Sequence, residues 1–140
     1  MNAKKFFVGG IAAGVVYFFL GYLFYGILFM DFFSKNAGTA SGVAKSMDQM
    51  VWWALILGNL MTGFLLAFVF EKAKTRSFGS GLWMGAWVGL FTAASYDLVS
   101  FGTSNLMNIR GVVADIALFT IMSAVSGAIL GWIMGMLEKK

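Results

Sequence analysis

The sequence predicts an all-α integral membrane protein, a four-helix antiparallel up-down bundle with both termini cytoplasmic. Three observations carry this reading. Apolar residues make up 60% of the 140 positions and charged residues only 11%, against roughly 45–50% and about 25% in soluble domains. A small water-soluble domain has too much surface to hide that much apolar side chain. The apolar residues also gather into four runs, 6–30, 51–70, 80–102 and 111–137, each near the ~20 residues that a helix needs to cross a bilayer. Finally, the runs lack the alternating pattern of barrel strands, and backbone in lipid must satisfy its own hydrogen bonds, which leaves helices. The chain 1–140 is read as one transmembrane domain with an outer loop at 31–50, within which Val43 to Met50 suggests a short surface helix.

The first run follows Lys4 and Lys5 and spans 25 residues, longer than the ~7–15 of a signal-peptide core, so it is read as a retained helix. Orientation follows from the cations. With four spans, Lys4, Lys5, Lys72, Lys74, Arg76, Lys139 and Lys140 share one side, and Lys35, Lys45 and Arg110 the other. Basic segments stay inside, so the first side is cytoplasmic and the expected location is a cell inner membrane. The net charge of +4 is then explained by topology, and no nucleic-acid partner is needed. Trp52 and Trp53 open the second run, and Trp83 and Trp132 lie near the inner ends of the third and fourth, as expected for an interfacial belt. Trp87, one turn deeper, is a candidate for packing between helices.

Glycine spacing is the strongest local signal. Gly81, Gly85 and Gly89 recur every fourth residue in the third run, and Ser123, Gly127, Gly131 and Gly135 do so in the fourth. Residues four apart form one ridge of a helix, and glycine there admits a neighbouring backbone. The two rows are expected to pair the third and fourth helices in the cytoplasmic half; an oligomer interface is the alternative use. A shorter row, Gly10 and Gly14, marks the first run.

Asp97 and Asp115 are the acids inside the runs, both in the outer half. An intramembrane carboxylate costs insertion energy and so marks a candidate site. With Arg110, Tyr96, Ser100 and Asn105 they form the expected intramembrane polar cluster. The functional reading is a pocket for a proton or cation, opening outward. The structural reading pairs Arg110 with one aspartate and has the other cap the N-terminus of the fourth helix, a role that suits Asp115 because the helix dipole favours a carboxylate in a first turn. Asn59 and Thr62 are expected to bond across helices. Having neither His nor Cys, the chain offers no imidazole base, thiol nucleophile or zinc site, and no metal or cofactor is expected. An intramembrane aspartyl protease is disfavoured, because Gly111-Val-Val-Ala-Asp115 lacks the glycine that directly precedes the second aspartate in that motif.

The segments Gly21-Tyr-Leu-Phe24-Tyr25-Gly-Ile-Leu-Phe29, Gly81-Leu-Trp-Met-Gly85 and Gly127-Ala-Ile-Leu-Gly131, with the polar stretch after the first run, resemble a family of four-span bacterial membrane proteins of uncharacterised function. The resemblance implies fold and location and transfers no catalytic residue. The expected function is that of a small non-enzymatic membrane protein acting by helix packing or by binding lipid or a partner, whether a second copy or another membrane protein. The alternative is an oligomeric transporter or channel that uses Asp97 and Asp115.

Overall fold

A computed structural model describes residues 2–138, and among these residues all regular structure is helical. The elements are α1 (Ala3–Leu23), continued by a π-helical turn Phe24–Leu28, then α2 (Met30–Lys35), a single 3-10 turn Met47–Gln49, α3 (Trp52–Ala73), α4 (Phe78–Thr103) and α5 (Ile109–Glu138). The segment Val43 to Met50 therefore forms only that one turn of the expected surface helix. The first expected run, 6–30, breaks at Phe29, beyond which α2 continues. Three helices are long and apolar enough to cross a membrane: Ala3–Leu28, Trp52–Ala73 and Ile109–Glu138. The stretch expected as a span at 80–102 is a helix of 26 residues. Its glycines, serines, tryptophans and Asp97 leave it less apolar than the other three.

Local chemistry explains where the helices start and stop. The Asn2 side chain accepts from Lys5 N at 3.2 Å and caps α1. Ser77 and Ser80 form a reciprocal capping box at the start of α4. Asn108 Oδ1 accepts from the backbone N–H of Arg110 and Gly111 at 3.0 and 3.1 Å, opening α5. These side chains satisfy donors that a helix start leaves unpaired. At the end of α3, Lys74 adopts φ 54° and lets Thr75 N return to Phe70 O at 3.0 Å. That left-handed residue is usually glycine.

The helices pack as two close pairs, α1 with α3 and α4 with α5, joined mainly through α1 and α5. Small residues set both seams. A Cβ added at Gly14 would stand 2.8 Å from the Leu60 Cα, and one at Gly63 would stand 2.7 Å from the Gly14 Cα. Gly127 and Gly131 lie equally close to α4: a Cβ on them would come within 2.8 Å of the Gly85 Cα and 3.0 Å of the Gly81 Cα. Gly89 faces the Ser123 side chain. Gly135 departs from the expected row. It packs on the Arg76 backbone in the α3–α4 turn instead of on α4, because α4 starts only at Phe78. In both seams, positions rise along one helix as they fall along the other, so each pair is antiparallel.

The core lies between α1, α3 and α5, around Ala13, Tyr17, Leu66, Phe70, Leu130 and Met134. Tyr17 donates its hydroxyl to Ser123 Oγ at 2.8 Å and stacks on Phe119 with ring centroids 5.8 Å apart. A buried hydroxyl is costly unless paired, and here two residues of different helices satisfy each other. By contrast, Asn59 and Thr62 bond within α3, to Leu55 O and Gly58 O four residues back. Neither bonds across to another helix, because both border the space where α3 stands off from α4.

Polar ties close the two ends. Arg76 donates from Nη2 to Glu71 Oε1 at 2.7 Å, from Nε to Glu138 Oε2 at 2.7 Å, and from Nη1 to the carbonyls of Phe70 and Thr75. Lys5 also binds Glu138, so this knot joins α1, the end of α3, the α3–α4 turn and α5. At the other end, an isolated bridge pairs Ala37 with Met107. It is flanked by bonds from Gly38 N to Leu106 O at 2.9 Å and from Asn108 N to Asn36 O at 3.0 Å. The exterior is apolar: Phe7, Ile11, Val15 and Phe19 form an exposed stripe on α1, and Trp83, Trp87 and Phe91 are exposed on α4. Trp87 thus faces outward, stacked on Phe91 at 5.6 Å, and does not pack between helices.

Candidate functional site

The α4 row Gly81, Gly85, Gly89, Ala93, Asp97 is buried along its whole length. The four-residue ridge that seats the glycines against α5 carries Asp97 into the same interface one turn beyond Ala93. Asp97 is only 1% exposed, and its Oδ2 has no hydrogen-bond partner. Asp115, half-buried in the second turn of α5, lies beside it. The third member is Tyr25, whose hydroxyl lies next to Asp115. Tyr25 sits in the π-helical turn, where the wider coil alters the direction of side chains relative to a continuous α-helix; such turns recur at functional sites.

Because α3 stands away from α4, these acids border an open lateral cleft of about 660 Å³. Its walls include Gly58, Asn59 and Thr62 of α3, Ala93 and Tyr96 of α4, and Phe119 of α5. A smaller recess of about 140 Å³ toward the α4–α5 connection touches Tyr96, Asp97, Ser100 and Asp115. Of the expected polar cluster, then, Asp97, Asp115, Tyr96 and Ser100 come together. Tyr96 lies mostly on the outer surface, 71% exposed.

Arg110 and Asn105 do not join them. Arg110 is exposed and forms none of the ion pairs among the described residues. One turn of α5 before Asp115, it belongs to the helix mouth while the acids are set deeper. Asn105 serves the loop tie, its carbonyl accepting from Ala40 N at 3.1 Å. Nor does Asp115 cap α5: that role belongs to Asn108, since the helix begins at Ile109. Among the described residues, the acids are therefore left without a protein cation. Tyr25 and Phe119 were absent from the expected cluster. Tyr25 is adjacent to Gly26 in the sequence, but no residue pattern announces a π-helical turn. Among the described residues no group of three or more His, Cys, Asp or Glu is placed to hold a metal ion.

Comparison with family models, with curated proteins and with solved structures finds no match for this chain.

Proposed function

We propose that the chain is a small, non-enzymatic, four-span membrane protein that binds a ligand or partner group through the Asp97–Asp115 cleft in its outer half. The observation that carries this reading is the buried Asp97 carboxylate, unpartnered at Oδ2 and paired with a second acid in a cleft open to one side. A buried polar atom without a partner is expensive, and a ligand that donates to it removes that cost.

A membrane setting is supported by the three long apolar helices and the apolar exterior. The glycine seam holds α4 alongside α5 for most of its length, which supports α4 as the fourth span. Lys4, Lys5, Lys72, Lys74 and Arg76 gather at the end of the Glu138 knot, while Lys35, Lys45 and Arg110 belong to the other end. Lys139 and Lys140 lie outside the described residues. This asymmetry supports cytoplasmic termini, and with the resemblance to four-span bacterial proteins it favours an inner membrane. The chain has no cysteine, so the topology is directly testable. A Ser46→Cys protein in intact cells should react with a membrane-impermeant maleimide, and a Lys72→Cys protein should react only after lysis. The reverse pattern overturns the orientation.

Transport is the second reading, and it requires the cleft to continue inward. The inner half is instead filled by the glycine seams and the Leu66–Phe70–Leu130–Met134 core, which favours binding over conduction. The same seams occupy the glycine rows within one chain, which removes the motive for an oligomer through them. Adjacent aspartates are also what an aspartyl protease needs, but that chemistry requires a water held by both acids in a closed polar cavity, and this cleft is open and largely apolar in its walls.

A lipid-soluble carbodiimide, which couples to carboxyl groups reached from the apolar phase, tests the cleft. Modification is expected at Asp115, the more open acid, and should disappear in Asp115→Asn. An unmodified Asp115 beside a modified Asp31 in the outer loop would show that nothing reaches the cleft, and would overturn the reading.

A further inference from the structure

Two spaces meet in the outer half. Beside the acidic cleft lies a second pocket of about 350 Å³, between the π-helical turn, the outer loop and α3, with walls that include Phe18, Tyr22, Met50 and Trp52. Leu55, Asn59 and Phe119 line both spaces. Tyr25 lines the second pocket and also lies beside Asp115. One side of this composite site is aromatic and the other carries two carboxylates.

Building on the reading of the cleft as a binding site, we infer that the composite site takes an amphipathic amine in its ammonium form. The aryl or alkyl body fills the aromatic pocket, and the N–H groups point to Asp97 and Asp115. Charge selects a cation, since neither space is lined by a Lys or Arg among the described residues and Coulomb attraction is strong away from water. The unpartnered Asp97 Oδ2 selects a cation with an N–H to donate, which a quaternary ammonium lacks. A metal ion is a poor match, because calcium takes ~6–8 oxygen ligands and the walls here are mostly apolar. A phospholipid amine brings a phosphate next to its ammonium, and two carboxylates repel that phosphate. The pocket's volume falls in the ~300–1,000 Å³ range of small-molecule sites. Ring faces such as those of Tyr25 and Phe119 also favour a neighbouring cation.

Calorimetry on the full chain in a nonionic detergent, with 4-phenylbutylamine and the neutral 4-phenylbutan-1-ol as probes, tests the assignment. The amine should bind at least about tenfold more tightly than the alcohol, the ratio expected for one charge-assisted hydrogen bond. Asp97→Asn and Asp115→Asn should each reduce the amine to the level of the alcohol. Gly21→Leu, on the apolar pocket's wall where a Cβ finds only the Met122 methyl at 3.6 Å, should weaken both probes alike. Equal binding of the two probes by the unaltered protein, or no binding of either, overturns the proposal without recourse to any variant. So does a preference for the amine that survives both Asn substitutions. Nanodiscs containing phosphatidylethanolamine should not compete with the amine; if they do, the occupant is a lipid headgroup and the phosphate-free class is wrong. Carbodiimide modification of Asp115 without amine preference retires the amine and leaves the cleft reading intact, whereas loss of both retires both.

Discussion

Replacing Gly127 with leucine is expected to destabilise the fold by more than about 3 kcal/mol, beyond the usual range for overpacking. The reason is what the new side chain meets. A Cβ at Gly127 would stand 2.8 Å from the Gly85 Cα and 3.2 Å from the Gly85 nitrogen. These are backbone atoms, which cannot rotate away as a side-chain tip can. The helices must separate, and with them goes the close van der Waals contact that holds helices together where no hydrophobic drive operates. Gly85→Leu and Gly131→Leu should act in the same direction, since their Cβ atoms would lie 3.0 Å from the Gly127 and Gly81 Cα atoms. Gly79→Leu and Gly102→Leu, with nothing near the new Cβ, should leave stability within about 1 kcal/mol, the propensity difference between glycine and an ordinary helix residue. Reversible unfolding in mixed micelles measures all five. Equal effects at Gly79 and Gly127 would mean that the seam does not hold the pair together.

The contrast between Gly79 and Gly127 also marks what the sequence discloses. The four-residue spacing of Gly81, Gly85 and Gly89 is visible in the residues alone, because helical geometry makes spacing equivalent to a face. Gly63 has no such row, yet a Cβ on it would stand 2.7 Å from the Gly14 Cα. Its role depends on which helix lies opposite, which periodicity within one segment does not encode. The acids follow the same division. That Asp97 continues the glycine ridge is legible from its number. That α3 stands off from α4 and opens a cleft beside it is a property of three helices together. Arg110 is the clearest case of a reading made on proximity in sequence alone. It lies five residues before Asp115 but makes no ion pair among the described residues, and the capping attributed to Asp115 is performed by Asn108. Tyr25 reaches Asp115 from a π-helical turn, a local coil change with no sequence signature. Rows that repeat along one helix face are readable, whereas single residues that meet a facing helix, such as Gly63, and those that shape the space between non-adjacent helices are not.

Arg76 gives the second large effect, at the opposite end of the molecule. In the sequence it counts only as one cation among several that orient the chain. In the fold its guanidinium divides its donors among the Glu71 carboxylate, the Glu138 carboxylate and the carbonyls of Phe70 and Thr75. Glu71 is 6% exposed on its side chain and Arg76 20%, whereas Glu138 is 55% exposed. The energy therefore resides in the Glu71 pair, and the Glu138 contact resembles a surface ion pair, which contributes little. Arg76→Gln strips the counter-charge from a carboxylate that water scarcely reaches, which costs about 3–5 kcal/mol when a buried pair is broken on one side. It also leaves the Phe70 carbonyl at the end of α3 with one donor fewer. Glu71→Gln together with Arg76→Gln removes both charges, and the double variant should recover most of the loss, because desolvating an ion pair offsets much of its Coulomb gain. Glu138→Gln alone should leave stability almost unchanged, because that carboxylate is exposed. A double-variant cycle by chemical unfolding measures the coupling between positions 71 and 76. A coupling near zero would mean that the Arg76–Glu71 pair contributes nothing. The α3–α4 turn would then be held by its other contacts, among them the Lys74 conformation, the Arg76 bonds to the Phe70 and Thr75 carbonyls and the Gly135 contact with the Arg76 backbone.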